Sequence, residues 1–145
     1  MKKYLFSVLF AFFTCLTACA DHEQIIAFEQ LPVNAQEIIK THFAAETVSY
    51  VILDNEVFGK DYEVRMASGT KVKFDKKGSL KKVDCGLAQV PAELIPEPVK
   101  LYVEKMFPNA FITEWGEDDR LWKAELNNGL DLKFNKKYEY VGVDD

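Results

Sequence analysis

"YEVRMASGTKVKFDKKGSLKKVD", residues 62–84, sets the fold, because "WKAELNNGLDLKFNKKYEYVGVD", residues 122–144, repeats it 60 positions later. Seven of the 23 aligned positions are identical: Gly69/Gly129, Lys73/Lys133, Phe74/Phe134, Lys76/Lys136, Lys77/Lys137, Val83/Val143 and Asp84/Asp144. Apolar character is kept more widely, at Tyr62/Trp122, Val64/Ala124, Met66/Leu126, Val72/Leu132 and Leu80/Tyr140. Internal similarity at a fixed spacing signals a repeated structural unit. The preceding segment repeats at an offset of 64: Leu31-Pro32 with Ile95-Pro96, and Ala35, Ile39, Phe43 and Val48 with Val99, Val103, Phe107 and Ile112. The change of offset removes four residues from the second copy, between its first two strands.

Alternation of Tyr62, Val64 and Met66 with Glu63 and Arg65 predicts a strand, and Val72 and Phe74 with Lys71 and Lys73 predict another. Directly opposed residues of an antiparallel pair share a face. A two-residue turn at Ser68-Gly69 would oppose Val64 to Lys73 and mix the faces. A three-residue loop, Ala67-Ser68-Gly69 with Gly69 left-handed, opposes Val64 to Val72 and Tyr62 to Phe74. Loop Asn127-Asn128-Gly129 likewise opposes Leu126 to Leu130, Ala124 to Leu132 and Trp122 to Phe134. Asp75-Lys76-Lys77-Gly78 reads as the next turn. Its counterpart ends in Tyr138, where a left-handed backbone is unfavourable, so that turn is expected to differ. A last strand follows. Leu80 to Val83 and Tyr140 to Val143 are three apart, which breaks period two and predicts a bulge in each.

Each copy opens with a helix, on Ala35, Ile38, Ile39, His42 and Phe43, and on Val99, Tyr102, Val103, Met106 and Phe107. Pro32, Pro96 and Pro98 suit helix starts. First strands are expected at 48–53 and 112–115. The expected class is α+β: a tandem repeat of helix plus four antiparallel strands, forming a shared antiparallel sheet with helices packed on one face. Repeat 1 spans 31–86 and repeat 2 spans 90–145, as one integrated domain. Alone, a unit of about 60 residues is marginal for a core.

The first 18 residues read as a signal peptide. Lys2 and Lys3 precede an apolar run from Leu5 to Phe13, too short to span a bilayer. Leu16-Thr17-Ala18-Cys19 resembles the lipobox of bacterial lipoproteins. That resemblance implies cleavage before Cys19 and acylation there, making Cys19 a lipid anchor followed by a tether over 19–30. Ordinary cleavage at Ala18-Cys19-Ala20 is the alternative. The expected location is therefore exported, as a periplasmic or outer-membrane lipoprotein, or else soluble in the periplasm or secreted. Cleavage would remove Lys2 and Lys3, taking the formal charge from −5 to −7. Cys85 would then be the sole cysteine besides the anchor, leaving no intramolecular disulfide in the domain.

The chain is acidic, with a formal charge of −5, which argues against a nucleic-acid partner. No nucleophile elbow, phosphate loop, zinc-protease motif, C-x-x-C or dinucleotide fingerprint occurs. His22 stands in the tether and His42 borders the helix face. Glu117-Asp118-Asp119 lacks calcium-loop spacing and reads as a hydrated hairpin tip. No enzyme activity, catalytic residue, metal site or cofactor is expected.

Surface residues carry the functional reading. Phe58, in an expected loop at 55–60, has the character of an interaction hot spot. Lys73 opposes Glu63, whereas Arg65 faces Lys71 without compensation. Trp115 and Tyr50 could lie on either face. The partner-binding candidates are Phe58, Arg65, Lys71, Lys73, Trp115 and Lys133. The pattern of Leu31-Pro32, the helix through Phe43, "YEVRMASGTKVKFDKKG" (62–78) and their second occurrence resembles the PepSY-like, β-lactamase-inhibitor-like family of exported bacterial proteins. The resemblance implies a tandem helix-plus-four-strand fold and an envelope protein or peptide held on the sheet. It does not carry over inhibition, because the shared residues are core and turn positions. The expected function is a non-enzymatic protein- or peptide-binding module of the cell envelope, inhibitor-like in fold and attached to the membrane through its anchor. The alternative is a periplasmic small-ligand or regulatory sensor.

Overall fold

The computed structural model describes residues 23–56 and 59–144. Cys19, His22 and Phe58 lie outside the described residues. Over the described residues the fold is α+β: one nine-stranded antiparallel sheet and two helices. The strands follow one another in space as in sequence: β1 (Glu23–Ile26), β2 (Val48–Glu56), β3 (Gly59–Met66), β4 (Lys71–Phe74), β5 (Leu80–Asp84), β6 (Ile112–Asp118), β7 (Leu121–Leu126), β8 (Asp131–Phe134) and β9 (Tyr140–Asp144). Helix α1 (Val33–His42) precedes β2 and α2 (Glu97–Met106) precedes β6. Each helix starts immediately after a proline, Pro32 or Pro96, and each is preceded by a 3-10 turn, at Phe28–Gln30 and Ala92–Leu94.

The expected hairpin registers are present. Tyr62 opposes Phe74 and Val64 opposes Val72; Trp122 opposes Phe134 and Ala124 opposes Leu132. Gly69 and Gly129 close the three-residue loops at φ 97° and 86°. Two bulges fall in the last strands, where Phe74 opposes Leu80 but Lys73 opposes Lys82, and Phe134 opposes Tyr140 but Lys133 opposes Gly142. Two more sit at Ser49 and Thr113. The missing four residues are the ends of a hairpin: β2 and β3 pair out to Glu56 and Gly59, while β6 and β7 stop at Asp118 and Leu121.

One row of residues runs across the whole sheet beneath the helices: Ile26, Val51, Val64, Val72, Val83, Trp115, Ala124, Leu132 and Val143. From Val51 to Leu132 every member is buried. Ala35, Ile39 and Phe43 of the α1 segment, and Val99 and Val103 of α2, close over the sheet in the same core cluster. Burial of each large apolar side chain contributes about 1.5–3 kcal/mol. A single continuous core therefore stabilises both halves together. Val143 is 44% exposed where its counterpart Val83 is fully buried, because β9 is the edge of the sheet among the described residues.

Four expectations need correction. Residues 23–26, assigned to a tether, pair with β2 as an edge strand. Residues 55–56 and 59–60, expected in a loop, are paired strand. The turn at Tyr138 does not differ: Tyr138 is left-handed at φ 62°, and its N–H donates to Asn135 O at 2.9 Å, as Gly78 does to Asp75 O. Contacts of its ring with Trp115 and Trp122, at centroid distances of 6.3 and 5.9 Å, offset the backbone cost. Met106 is 53% exposed and does not join the core face of α2, whose last turn it ends.

Candidate functional site

The face of the sheet away from the helices carries two adjacent rows of side chains. One runs Ile25, Ile52, Glu63, Lys73, Lys82, Gly116, Lys123, Lys133 and Gly142. The other runs Tyr50, Arg65, Lys71, Asp84, Glu114, Glu125, Asp131 and Asp144. Cations lead over β3–β5, where Arg65, Lys71, Lys73 and Lys82 stand against Glu63 and Asp84. Carboxylates lead over β6–β9, where Glu114, Glu125, Asp131 and Asp144 stand against Lys123 and Lys133. The face is thus polarised along the sheet, and a free partner charge senses that gradient within about 10 Å at moderate salt.

Over β3–β5 these side chains line a depression of about 240 Å³, formed by Glu63, Arg65, Lys71, Lys73, Lys82 and Asp84. Glu63 bridges Arg65 Nε and Lys73 Nζ, at 2.5 and 3.2 Å. Lys71 meets Asp84 at 3.6 Å, and Lys82 meets Glu114 at 2.8 Å. The bond to Glu63 holds the Arg65 guanidinium above its already high ordinary pKa. Exposure separates the two signs. Glu63 and Glu114 side chains are only 12% exposed, whereas Lys73 is 50% and Lys71 45% exposed. Carboxylates form the floor and ammonium groups the rim, so an approaching molecule meets positive charge first. Because these ion pairs are open to water, they add little stability, about 0–1 kcal/mol each. Their main effect is to arrange the surface.

Arg65, Lys71 and Lys73 are brought together as expected. Arg65 is not uncompensated: Glu63, two residues earlier on the same strand face, takes its charge, and the Tyr50 ring centroid lies 5.9 Å from the guanidinium carbon. Lys133 shares the face but sits four strands from Lys73, roughly 19 Å at the usual strand spacing, and pairs with Asp144 at 3.1 Å. Trp115 is corrected from partner contact to core. The extra residue at Thr113 turns Glu114 outward and Trp115 inward, where it is 2% exposed and stacks on Trp122 at 5.1 Å. Sequence reading missed Lys82 and Asp84. Both follow once the bulge after Leu80 is placed, since it sets Lys82 beside Lys73.

Lys123 lies between Glu114 and Asp131, at 3.6 and 3.2 Å. Burial works against its charge, but Asp131, Glu114 and Glu125 outweigh burial and raise its pKa. Among the described residues, no three His, Cys, Asp or Glu side chains are placed to hold a metal ion, and no helix is long and apolar enough to cross a membrane.

Residues 60–141 match the family described as "Putative beta-lactamase-inhibitor-like, PepSY-like". The chain belongs to this PepSY-like family. Three solved structures resemble it closely. A protein of Bacteroides thetaiotaomicron described as a "putative calcium-regulated periplasmic protein" is 34% identical, with a TM-score of 0.82, over 87% of this chain and 99% of that one. A protein of Bacteroides vulgatus described as a "putative periplasmic protein" is 33% identical with a TM-score of 0.83, over the same shares of both chains. A second B. vulgatus protein, described as a "putative periplasmic protein of unknown function", is 25% identical with a TM-score of 0.80, over 85% of this chain and 99% of its own. No curated protein matches the sequence. The PepSY-like match runs from β3 to the start of β9 and so includes the whole cation-lined depression.

Proposed function

We propose that this PepSY-like chain is a non-enzymatic binding module of the bacterial periplasm that holds an acidic segment of another envelope protein or peptide on its β3–β5 face. The observation that carries the reading is the depression in which four cations stand above two recessed carboxylates. Charge presented in this way raises encounter rates and selects partners more than it adds raw affinity. The description of all three similar structures as "putative" periplasmic proteins supports the location. Cys19 would attach the module to a membrane; replacing it by alanine should abolish lipid labelling. We also read the two halves as copies of one helix-plus-four-strand unit, supported by their matching registers and bulges.

The test is crosslinked capture from native envelopes with the unaltered protein and with a Lys71→Glu/Lys73→Glu variant. The reading requires a partner captured by the first and lost from the second. Capture that is identical with both removes this face from the account. A regulatory sensor is the second reading, favoured by the calcium-regulated description of the B. thetaiotaomicron protein. Calcium-dependent change in the thermal midpoint would support it.

A further inference from the structure

A cavity of about 100 Å³ opens beside α2, away from the charged face. Val90, Ala92, Ile95, Val103, Phe111 and Ile112 contribute to its apolar wall, and Lys100 and Glu104 also border it. Its size is of the order of the roughly 150 Å³ engineered apolar cavity that admits benzene. It is too small for a drug-sized ligand, whose pockets run to about 300–1,000 Å³.

The first half of the chain shows what fills such a space. Positions 64 apart correspond here: the 3-10 turns Phe28–Gln30 and Ala92–Leu94, the buried Leu31 and Ile95, and the buried Ile39 and Val103. Phe28 therefore stands where Ala92 stands. Its ring packs against the core, with Lys40 Nζ 5.6 Å from the ring centroid. Lys40 corresponds to Glu104, which borders the cavity. The second half supplies no ring at the position of Phe28, and its own Phe111, which also borders the cavity, leaves about 100 Å³ open.

We propose that this cavity receives one aromatic side chain from a partner protein, in a segment that also carries a lysine or arginine beside the ring. Two observations select that occupant. At the equivalent position the first half places a phenylalanine against the core, delivered by a backbone segment and not by a free molecule. The position that holds a cation over Phe28 is here Glu104, and this carboxylate makes no ion pair or hydrogen bond among the described residues. Lys100 is already held by Glu97 at 2.7 Å. An incoming cation would satisfy Glu104, with the charges reversed relative to the first half. A single buried aromatic anchor beside a rim charge is a common arrangement at protein interfaces.

The probe is N-acetyl-Phe-Lys-amide, with N-acetyl-Ala-Lys-amide and toluene as comparisons, followed through the methyl resonances of Val90, Ile95, Val103 and Ile112. Saturable shifts with the Phe-Lys probe are expected, with a dissociation constant about tenfold below that of the Ala-Lys probe. Ala92→Phe fills the space with the chain's own ring and should abolish the shifts; Glu104→Lys should weaken binding several-fold. Should Ala92→Phe fail to fold, Ala92→Leu serves the same purpose. Absence of saturable shifts in the unaltered protein, equal binding of both peptides, or retained binding in a folded filled variant would overturn the proposal. Binding of toluene without the Phe-Lys probe would overturn the partner assignment. Charge reversal at Lys71 and Lys73 should leave this titration unchanged, which separates its failure from that of the charged face.

Discussion

Gly78 carries two separate demands, and Gly69 carries only one of them. Both have left-handed backbones, at φ 82° and 97°. Alanine at either position meets the backbone penalty of about 1 kcal/mol. At Gly69 a Cβ would meet nothing within 4 Å. At Gly78 it would lie 2.8 Å from Pro32 Cβ and 2.9 Å from Ala35 N. Those atoms belong to a proline and to the backbone at the start of α1, so no flexible side chain can yield. Overpacking of this kind costs about 1–3 kcal/mol. Gly78→Ala should therefore destabilise by about 2–4 kcal/mol and Gly69→Ala by about 1 kcal/mol. Urea unfolding followed by tryptophan fluorescence measures both, provided the slope with urea is unchanged. Because Trp115 and Trp122 lie in the second half, a full shift of their transition by Gly78→Ala also tests whether the core is one cooperative unit. Equal losses for the two variants would refute the close approach of the β4–β5 turn to α1.

Two further predictions concern titrating groups. Burial opposes ionisation of Asp75, but N–H donors of Ser79 and Lys77, at 2.9 and 2.8 Å, outweigh it and lower its pKa. A depressed carboxylate stabilises the fold above its unfolded pKa of about 3.9 and loses that contribution as pH falls through the lower folded value. Asn135 accepts the same two bonds in the second half, so Asp75→Asn should change stability little at neutral pH and flatten the loss in acid. An unaltered acid slope in urea titrations would contradict this. Burial, helped by Glu46 and Asp84 against a hydrogen bond with Thr70, pushes the Cys85 thiol up to about 11. At pH 8 the thiolate is then on the order of one part in a thousand, so disulfide reagents should label the native protein far more slowly than the urea-unfolded chain. The associated stability is present below the free-thiol pKa and lost as pH rises beyond it. Rapid native labelling at pH 8 would contradict the burial of Cys85.

Parity made much of this fold legible. Only one loop length keeps Tyr62, Val64, Val72 and Phe74 on one face, so two hairpins and their registers follow from sequence. The last-strand bulges follow from the same rule, because Leu80 and Val83 cannot share a face at a spacing of three without one. Trp115 was ambiguous for the converse reason: its bulge lies at Thr113, inside a stretch with no clear alternation. β1 was missed because a four-residue edge strand carries just two apolar residues, Ile25 and Ile26, and gains its register from β2. Ion pairing along a strand was also overlooked. Glu63 reaches Arg65 on its own strand, whereas cross-strand reading considered only Lys71.

The most direct test of the charged-face account is an amide-resonance titration of the protein with a hexaglutamate peptide at low and moderate salt. The account predicts perturbations centred on Arg65, Lys71, Lys73 and Lys82, weakening as salt rises and absent in the Lys71→Glu/Lys73→Glu variant. Perturbations centred on β7–β9, or an unchanged response in that variant, would contradict it.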